Sequence, residues 1–304
     1  MITRRDLVKS AALSAATFAL SGETSSATPA PMTRTIPSSG EAMPAVGLGT
    51  WITFNVGDDS VLRDECADVM AAFFQAGGRM IDCSPMYGSS PPVVGYGLER
   101  FRQPQALFSA EKVWTTSAND GPAQIERSRR LWGVERFDLV QVHNLVAWEA
   151  HLETLFAMKA AGQIRYVGIT TSEGRRHELF EQIMHAHPLD FVQLTYNILD
   201  REAEERLLPL ASERGMAVIV NRPFRQGELT QQLESEPLPA WAGEIAVATW
   251  AQFILKFILS HPAVTVAIPA TSRVDHVREN MAAAADPLPD AALRERMVAY
   301  VRDL

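Results

Sequence analysis

Asp82, Tyr87, Lys112 and His143 are the residues of this sequence whose types and setting fit proton transfer. Asp82 and Tyr87 stand five residues apart in "MIDCSPMYGSS" (80–90), directly after an apolar run. Lys112 lies near the end of "ALFSAEKVW" (106–114), and His143 closes "FDLVQVH" (137–143). A phenol titrates near pH ~10, so it gives a proton to a weakly basic carbonyl only where its anion is stabilised. A neighbouring ammonium favours the phenolate and lowers that pKa. Lys112 is expected to supply the ammonium, with Asp82 keeping it charged and oriented. His143 is expected to donate a hydrogen bond that polarises and aligns the carbonyl. Taken singly, the four have ordinary alternatives: a turn cap, a packed aromatic, a snorkelling lysine and a satisfied core histidine. Together, on three neighbouring strand ends, they read as a site. It needs a hydride donor from elsewhere, because the sequence shows neither a metal-ligand cluster nor an activated nucleophile.

The elements that must position these residues follow from the apolar pattern. Eight β-type runs recur: 45–51, 79–84, 106–114, 137–143, 166–170, 191–196, 217–221 and 264–269. They lack clean alternation, as strands buried on both faces do. Helical patterns separate them at 60–78, 93–101, 122–132, 148–161, 175–186, 202–215, 244–261 and 274–284. Eight β-then-α units in series predict an α/β fold, a (β/α)8 TIM barrel, whose chemistry sits at the C-terminal ends of the strands. A doubly wound sheet is the alternative, but "GLGTW" (47–51) lacks the third glycine of the dinucleotide fingerprint and opens no helix. "TRTIPSSGEAMP" (33–44) predicts a short N-terminal β-hairpin turning at Ser39-Gly40 and capping the bottom of the barrel.

Composition narrows the function. The 304 residues are 47% hydrophobic and 21% charged, with a formal charge of −8. That is a folded composition with a mild acidic excess, and without a basic patch nucleic acid is not expected as a partner. Cys66 and Cys83 are expected as buried thiols. The apolar 244–261 helix carries Lys256 and ends at His261-Pro262, so it reads as a barrel helix and no stable membrane span is expected. The first residues differ. Arg4 and Arg5, then Leu7, Val8 and Lys9, precede a short apolar run and a Ser/Thr/Pro-rich stretch at 22–31. This resembles a twin-arginine (Tat) export signal and cleavage linker, residues 1–31, ahead of a barrel at 33–304. It implies the export machinery as a partner and the bacterial periplasm as the destination, or the cytoplasm if the signal is not used.

In order along the chain, "GLGTW", "IDCSPMYG" (81–88), "EKVW" (111–114), "DLVQVHN" (138–144), "VQLTYN" (192–197) and "IPATSRVDHVREN" (268–280) resemble the aldo-keto reductase superfamily. The resemblance implies that Asp82, Tyr87, Lys112 and His143 are the catalytic tetrad, with Tyr87 the general acid. It implies a hydride from NADPH, with NADH as the alternative, and a small-molecule carbonyl substrate. Gly49, Thr50 and Trp51 match the first cofactor loop, Asp82 also borders the cofactor, and Gln193 and Thr170 match groups on the nicotinamide carboxamide. Ser272, Arg273, Glu279 and Asn280 match the segment holding the adenosine end, with Arg273 against a 2′-phosphate. Trp51, Met86, Trp114 and Asn144 are expected around the substrate, with Trp148 beside them.

The pattern departs in three places. "GITT" (168–171) ends in Thr171 where the family has an amide. Asn221, in "NRPF" (221–224), replaces an aromatic that stacks on nicotinamide, a role Phe224 would have to take, while Arg222 and Arg225 add charge for the pyrophosphate. Ala270 and His276 stand where some members place Lys and Arg, so the NADPH preference rests on Arg273. The alternative reading is a cofactor-binding redox sensor or accessory subunit with little turnover.

Overall fold

The structure, a computed structural model, describes residues 31–101, 104 and 106–304. The expected export signal at 1–31 lies outside the described residues except for Pro31. The chain then enters an antiparallel hairpin of β1 (Thr33–Thr35) and β2 (Ala42–Pro44), with Thr33 opposite Pro44. Its turn closes at Gly40, whose φ of 76° suits a residue without Cβ.

Eight parallel strands follow: β3 (Leu48–Gly49), β4 (Met80–Asp82), β5 (Phe108–Val113), β6 (Phe137–Val142), β7 (Ile164–Thr170), β8 (Phe191–Thr195), β9 (Ala217–Asn221) and β10 (Val266–Ala267). Each pairs with its sequence neighbour, and parallel bridges from Val46 to Ala267 and Gly49 to Ala270 join the two ends. The expected (β/α)8 barrel is thus the observed one. Gly49 is needed at the seam, since a Cβ there would lie 2.7 Å from the Ile268 carbonyl oxygen.

Helices α1 (Ser60–Gln75), α2 (Ser90–Arg100), α3 (Gly121–Trp132), α4 (Trp148–Ala160), α5 (His177–Ala186), α6 (Leu207–Glu213), α7 (Glu228–Gln232), α8 (Trp250–Leu259), α9 (Val274–Ala282) and α10 (Ala291–Arg302) complete the described elements. The 202–215 pattern does not form one helix. A 3-10 turn at Glu202–Glu204 precedes α6, because Arg206 leaves helical geometry at φ −138°. The 244–261 pattern likewise starts late. Ala246 adopts a left-handed φ of 49°, and the Thr249 side chain caps α8 by accepting from the Gln252 N–H. Among the described residues no helix is long and apolar enough to cross a membrane.

Strand periodicity positions the site. One set of alternating residues, including Met80, Phe108, Leu139, Phe191 and Ile219, packs inside the barrel. Ile36 and Met43 of the hairpin segment join that cluster, plugging the N-terminal end. The opposite set, including Ile81, Val140, Val167, Val192 and Val218, packs in the second core with the helices. Continuing the interior set two residues at a time reaches Asp82, Lys112, Gln141, His143, Gln193 and Asn221 at the C-terminal ends. The barrel is filled with hydrocarbon below and polar groups above.

Candidate active site

The loops at that end enclose a cavity of about 860 Å³. Beneath it, Lys112 is fully buried, and its Nζ donates to Asp82 Oδ1 at 2.5 Å and to the Cys83 carbonyl at 2.8 Å. Asp82 Oδ2 accepts from the Gln193 amide at 2.9 Å and from the Gln141 amide at 3.4 Å. Barrel stagger makes this pair: Asp82 is level with Ala110, and Lys112 is level with Gln141 on the next strand. The lysine therefore reaches back one pleat to the carboxylate. Burial works against the Lys112 charge, but the Asp82 carboxylate opposes it, and the net direction is above the usual lysine range.

Tyr87 sits in the turn between β4 and α2, its amide bonded to the Ser84 carbonyl at 3.0 Å and Gly88 following with φ 61°. The ring lies 4.9 Å from Trp51 and 5.7 Å from His143, centroid to centroid. Lys112 Nζ is 5.0 Å from the phenol ring centre. The expected sign of its pKa shift does not hold. Lys112 does pull the phenol pKa down, but burial of the ring is the larger effect and the net direction is upward. The phenol is therefore neutral, the form that can donate a proton. His143 is also neutral, because burial and then the Lys112 charge push its pKa well below the ordinary histidine value. Its Nδ1 lies 2.8 Å from Ser84 Oγ.

Most of the residues expected at the site line this one cavity. They are Gly49, Thr50, Trp51, Asp82, Met86, Tyr87, His143, Asn144, Thr170, Gln193, Asn221, Arg222, Phe224, Glu279 and Asn280. Six are placed elsewhere. Lys112 lies below the floor. Trp114 follows the last residue of β5, where its backbone N–H and carbonyl bond to the Gln124 side chain, and it is 43% exposed and outside the lining. Ser272 and Arg273 lie outside the lining, and Arg273 forms an exposed two-point ion pair with Asp275. Trp148 packs on His187 instead, with ring centroids 5.7 Å apart. Arg225 is also outside the lining, held by Asp200.

Ile52, Glu173 and Gln226 line the cavity without a signal in the sequence. With Asn144 and Arg222 they all have left-handed φ between 51° and 66°. Such strain gathers where a surrounding structure holds loops to a shape. Glu173 and Arg222 form an ion pair at 2.9 Å across the loops after β7 and β9. Asn221 is fixed at both ends of its amide, donating to the Thr171 carbonyl at 2.9 Å and accepting from Thr195 Oγ1 at 2.6 Å. Gln141 and Ser84 were legible only as residues two positions from His143 and Asp82 on the same strand face.

Glu111 belongs to the opposite face of β5. It is fully buried, Oε1 accepts from the Lys112 amide at 2.9 Å, and Oε2 has no hydrogen-bond partner among the described residues. Burial raises its pKa to about 8, against the lowering effects of the Lys112 amide and charge. The folded state thus keeps a proton that the unfolded chain releases near pH ~4.3, so stability is full below that pH and falls as pH rises toward 8. The slope at mid-range is about 1.4 kcal/mol per pH unit. Urea unfolding at pH 5, 6.5 and 8 should show Glu111→Gln gaining on the wild type with rising pH; a constant difference would show that Glu111 does not carry this proton.

Both cysteines are buried free thiols, as expected, and burial raises the pKa of each. Neither is an activated nucleophile.

Residues 45–296 match the Aldo/keto reductase family. A NADH-specific methylglyoxal reductase of Escherichia coli (strain K12) is 25% identical over 246 residues, covering 70% of this chain and 73% of that protein. A 9,11-endoperoxide prostaglandin H2 reductase of Trypanosoma cruzi is 28% identical over 78% of this chain and 81% of its own. A thermostable aldo-keto reductase solved with the inhibitor epalrestat superposes with a TM-score of 0.73 at 26% identity, covering 89% of this chain and 99% of that one. An aldo/keto reductase from Klebsiella pneumoniae, solved with NADP and acetate, superposes equally well at 24% identity over 89% and 95% of the two chains. With the matched segment spanning every strand of the barrel and every residue around the cavity floor, this chain belongs to the aldo/keto reductase family.

Proposed function

We propose that the protein is an NAD(P)H-dependent oxidoreductase that reduces an aldehyde or ketone to an alcohol, or runs the reverse reaction. The observation that carries this reading is the buried Lys112–Asp82 pair beneath a neutral Tyr87 and a neutral His143 at one end of a single cavity. A carbonyl oxygen held between Tyr87 and His143 accepts a hydrogen bond from each. As the oxygen gains negative charge, Tyr87 gives up its proton, and the Lys112 ammonium stabilises the phenolate left behind. Burial, which disfavours that phenolate at rest, also strengthens its attraction to Lys112 when it forms. Asp82 keeps Lys112 charged throughout.

A reduced nicotinamide, when bound, supplies the hydride. The lining suits such a group. Gln193 offers an amide whose oxygen is not used by Asp82, Asn221 offers a fixed flat amide, and Arg222 and Asn280 add a cation and an amide beyond them. NADP is bound by the Klebsiella structural neighbour, and the Escherichia coli relative is named NADH-specific. We take NADPH as the expected cofactor and NADH as the alternative. Purified protein lacking residues 1–31 should oxidise NADPH or NADH with at least one member of a panel of reactive aldehydes and ketones. Inactivity across the panel with cofactor demonstrably bound would sink the reductase reading and favour the sensor or accessory subunit.

The choice between the two cofactors turns on Arg273. Its guanidinium must leave Asp275 to meet a 2′-phosphate. Arg273→Ala should raise KM for NADPH roughly fivefold more than for NADH, and Asp275→Ala should lower KM for NADPH. Equal effects on both cofactors would remove Arg273 from the 2′-phosphate.

We further read residues 1–31 as a twin-arginine signal and linker and 33–304 as the barrel unit, with the periplasm as destination. The reading rests on Arg4, Arg5 and the short apolar run after them. A fusion of residues 1–35 to a folded reporter should cross the membrane, and Arg4→Lys with Arg5→Lys should stop it. Cytoplasmic retention of the unaltered fusion would overturn the export reading.

A further inference from the structure

Ser84 is fully buried and lies two residues beyond Asp82, in the turn that carries Tyr87. Its Oγ accepts from the Met86 backbone N–H at 3.2 Å and lies 2.8 Å from His143 Nδ1. These are its hydrogen-bond partners among the described residues. A hydroxyl has one proton to give and two lone pairs to accept with. Here the Met86 amide fills an acceptor place, and the only acceptor in reach of the hydroxyl proton is Nδ1. The opposite direction would have Nδ1–H donate to Oγ. Oγ would then accept twice and leave its own proton buried without a partner, which is unfavourable. The ring is neutral, so one nitrogen alone carries a proton.

We propose that Ser84 is a positioning residue: its hydroxyl donates to His143 Nδ1 and so places the imidazole proton on Nε2. His143 lines the cavity, and Nε2 is the ring nitrogen that Ser84 does not engage. Ser84 therefore decides whether the imidazole offers the substrate oxygen a donor or a lone pair. The same hydroxyl ties the turn bearing Met86 and Tyr87 to the end of β6, fixing the relative placement of the two groups that meet the carbonyl. The consequence for rate rests on the reductase reading above; the tautomer itself does not.

The test uses full-chain protein labelled with ¹⁵N-histidine, and His143→Asn protein to assign the signal. In the wild type, the His143 ring nitrogens should report a protonated Nε2 and an unprotonated, hydrogen-bonded Nδ1. In Ser84→Ala the Nδ1 resonance should lose its hydrogen-bond shift and the ring should become a mixture of the two neutral forms. With a reactive aldehyde, kcat should fall about three- to tenfold while the Kd for NADPH stays within twofold. Ser84→Thr, which restores the hydroxyl, should recover the wild-type nitrogen signature. A wild-type spectrum with the proton on Nδ1, or an unchanged spectrum in Ser84→Ala, overturns the proposal. Should the wild type reduce no carbonyl, the reductase reading fails, while the nitrogen spectra still decide the tautomer. Thermal unfolding of each variant separates loss of the fold from loss of the tautomer.

Discussion

Tyr87→Phe should lower kcat for reduction of a reactive aldehyde by about 10³-fold while leaving the Kd for NADPH within about twofold. General acid catalysis by a positioned side chain is worth roughly 10²–10⁴ in rate, and here the developing oxyanion has one acid poised to neutralise it. The substitution removes the hydroxyl and keeps the ring. The ring contacts with Trp51 and His143, at 4.9 and 5.7 Å, therefore persist and the cavity keeps its shape. His143 retains its hydrogen bond to Ser84 and can still orient the carbonyl, so some rate above background should survive. Single-turnover oxidation of NADPH, with a separate fluorescence titration of cofactor, distinguishes the two effects. Activity above a tenth of wild type would mean that the proton comes from another source, and the assignment of Tyr87 as acid would be lost.

The second large effect is on stability as well as rate. Lys112→Met should destabilise the protein by about 3–5 kcal/mol, the usual consequence of stranding one member of a buried ion pair. Asp82 would remain 2% exposed with the Gln193 and Gln141 amides but without a counter-charge. Removing both charges is a different matter. Asp82→Asn with Lys112→Met should recover most of that loss, because two buried charges often gain little net over well-packed neutral groups. Activity should not recover, since nothing then stabilises the phenolate. Urea unfolding of the wild type, both single variants and the double variant supplies the cycle. If the double variant is as unstable as the sum of the two singles, the pair is not coupled and the account of the cavity floor is wrong. Recovery of activity along with stability would mean that the pair serves the fold alone.

The export reading sets a constraint on the same site. A protein carried out of the cytoplasm must bring its nicotinamide or find another reductant. The Glu173–Arg222 ion pair and the left-handed loop residues Ile52, Asn144 and Gln226 line the cavity that such a molecule would leave.

Much of this was legible in the amino-acid order. The eight apolar runs and the helical patterns between them gave the barrel, because strands buried on both faces and amphipathic helices have different periods. The hairpin was readable from a Ser-Gly turn between short β-type segments. Asp82, Tyr87, Lys112 and His143 stood out because chemistry-bearing residues followed apolar runs at neighbouring strand ends. Helix boundaries were less legible. At Arg206 and Ala246 the backbone leaves the helix although the side-chain pattern continues.

The sequence by itself determined which residues face the barrel axis, since that depends only on counting by twos along each strand. It did not determine which of them touch. Stagger between neighbouring strands decided that Lys112 reaches Asp82 and that Ser84 meets His143 across 59 positions of chain, and the end of β5 at Val113 left Trp114 outside the cavity. Nor did it fix the direction of the Tyr87 shift. A list of residues names Lys112 as the charge that lowers it, but only the folded molecule sets the depth of burial that outweighs that charge. Electrostatic balance inside a protein depends on solvent exclusion by the whole fold, which no local stretch of sequence encodes.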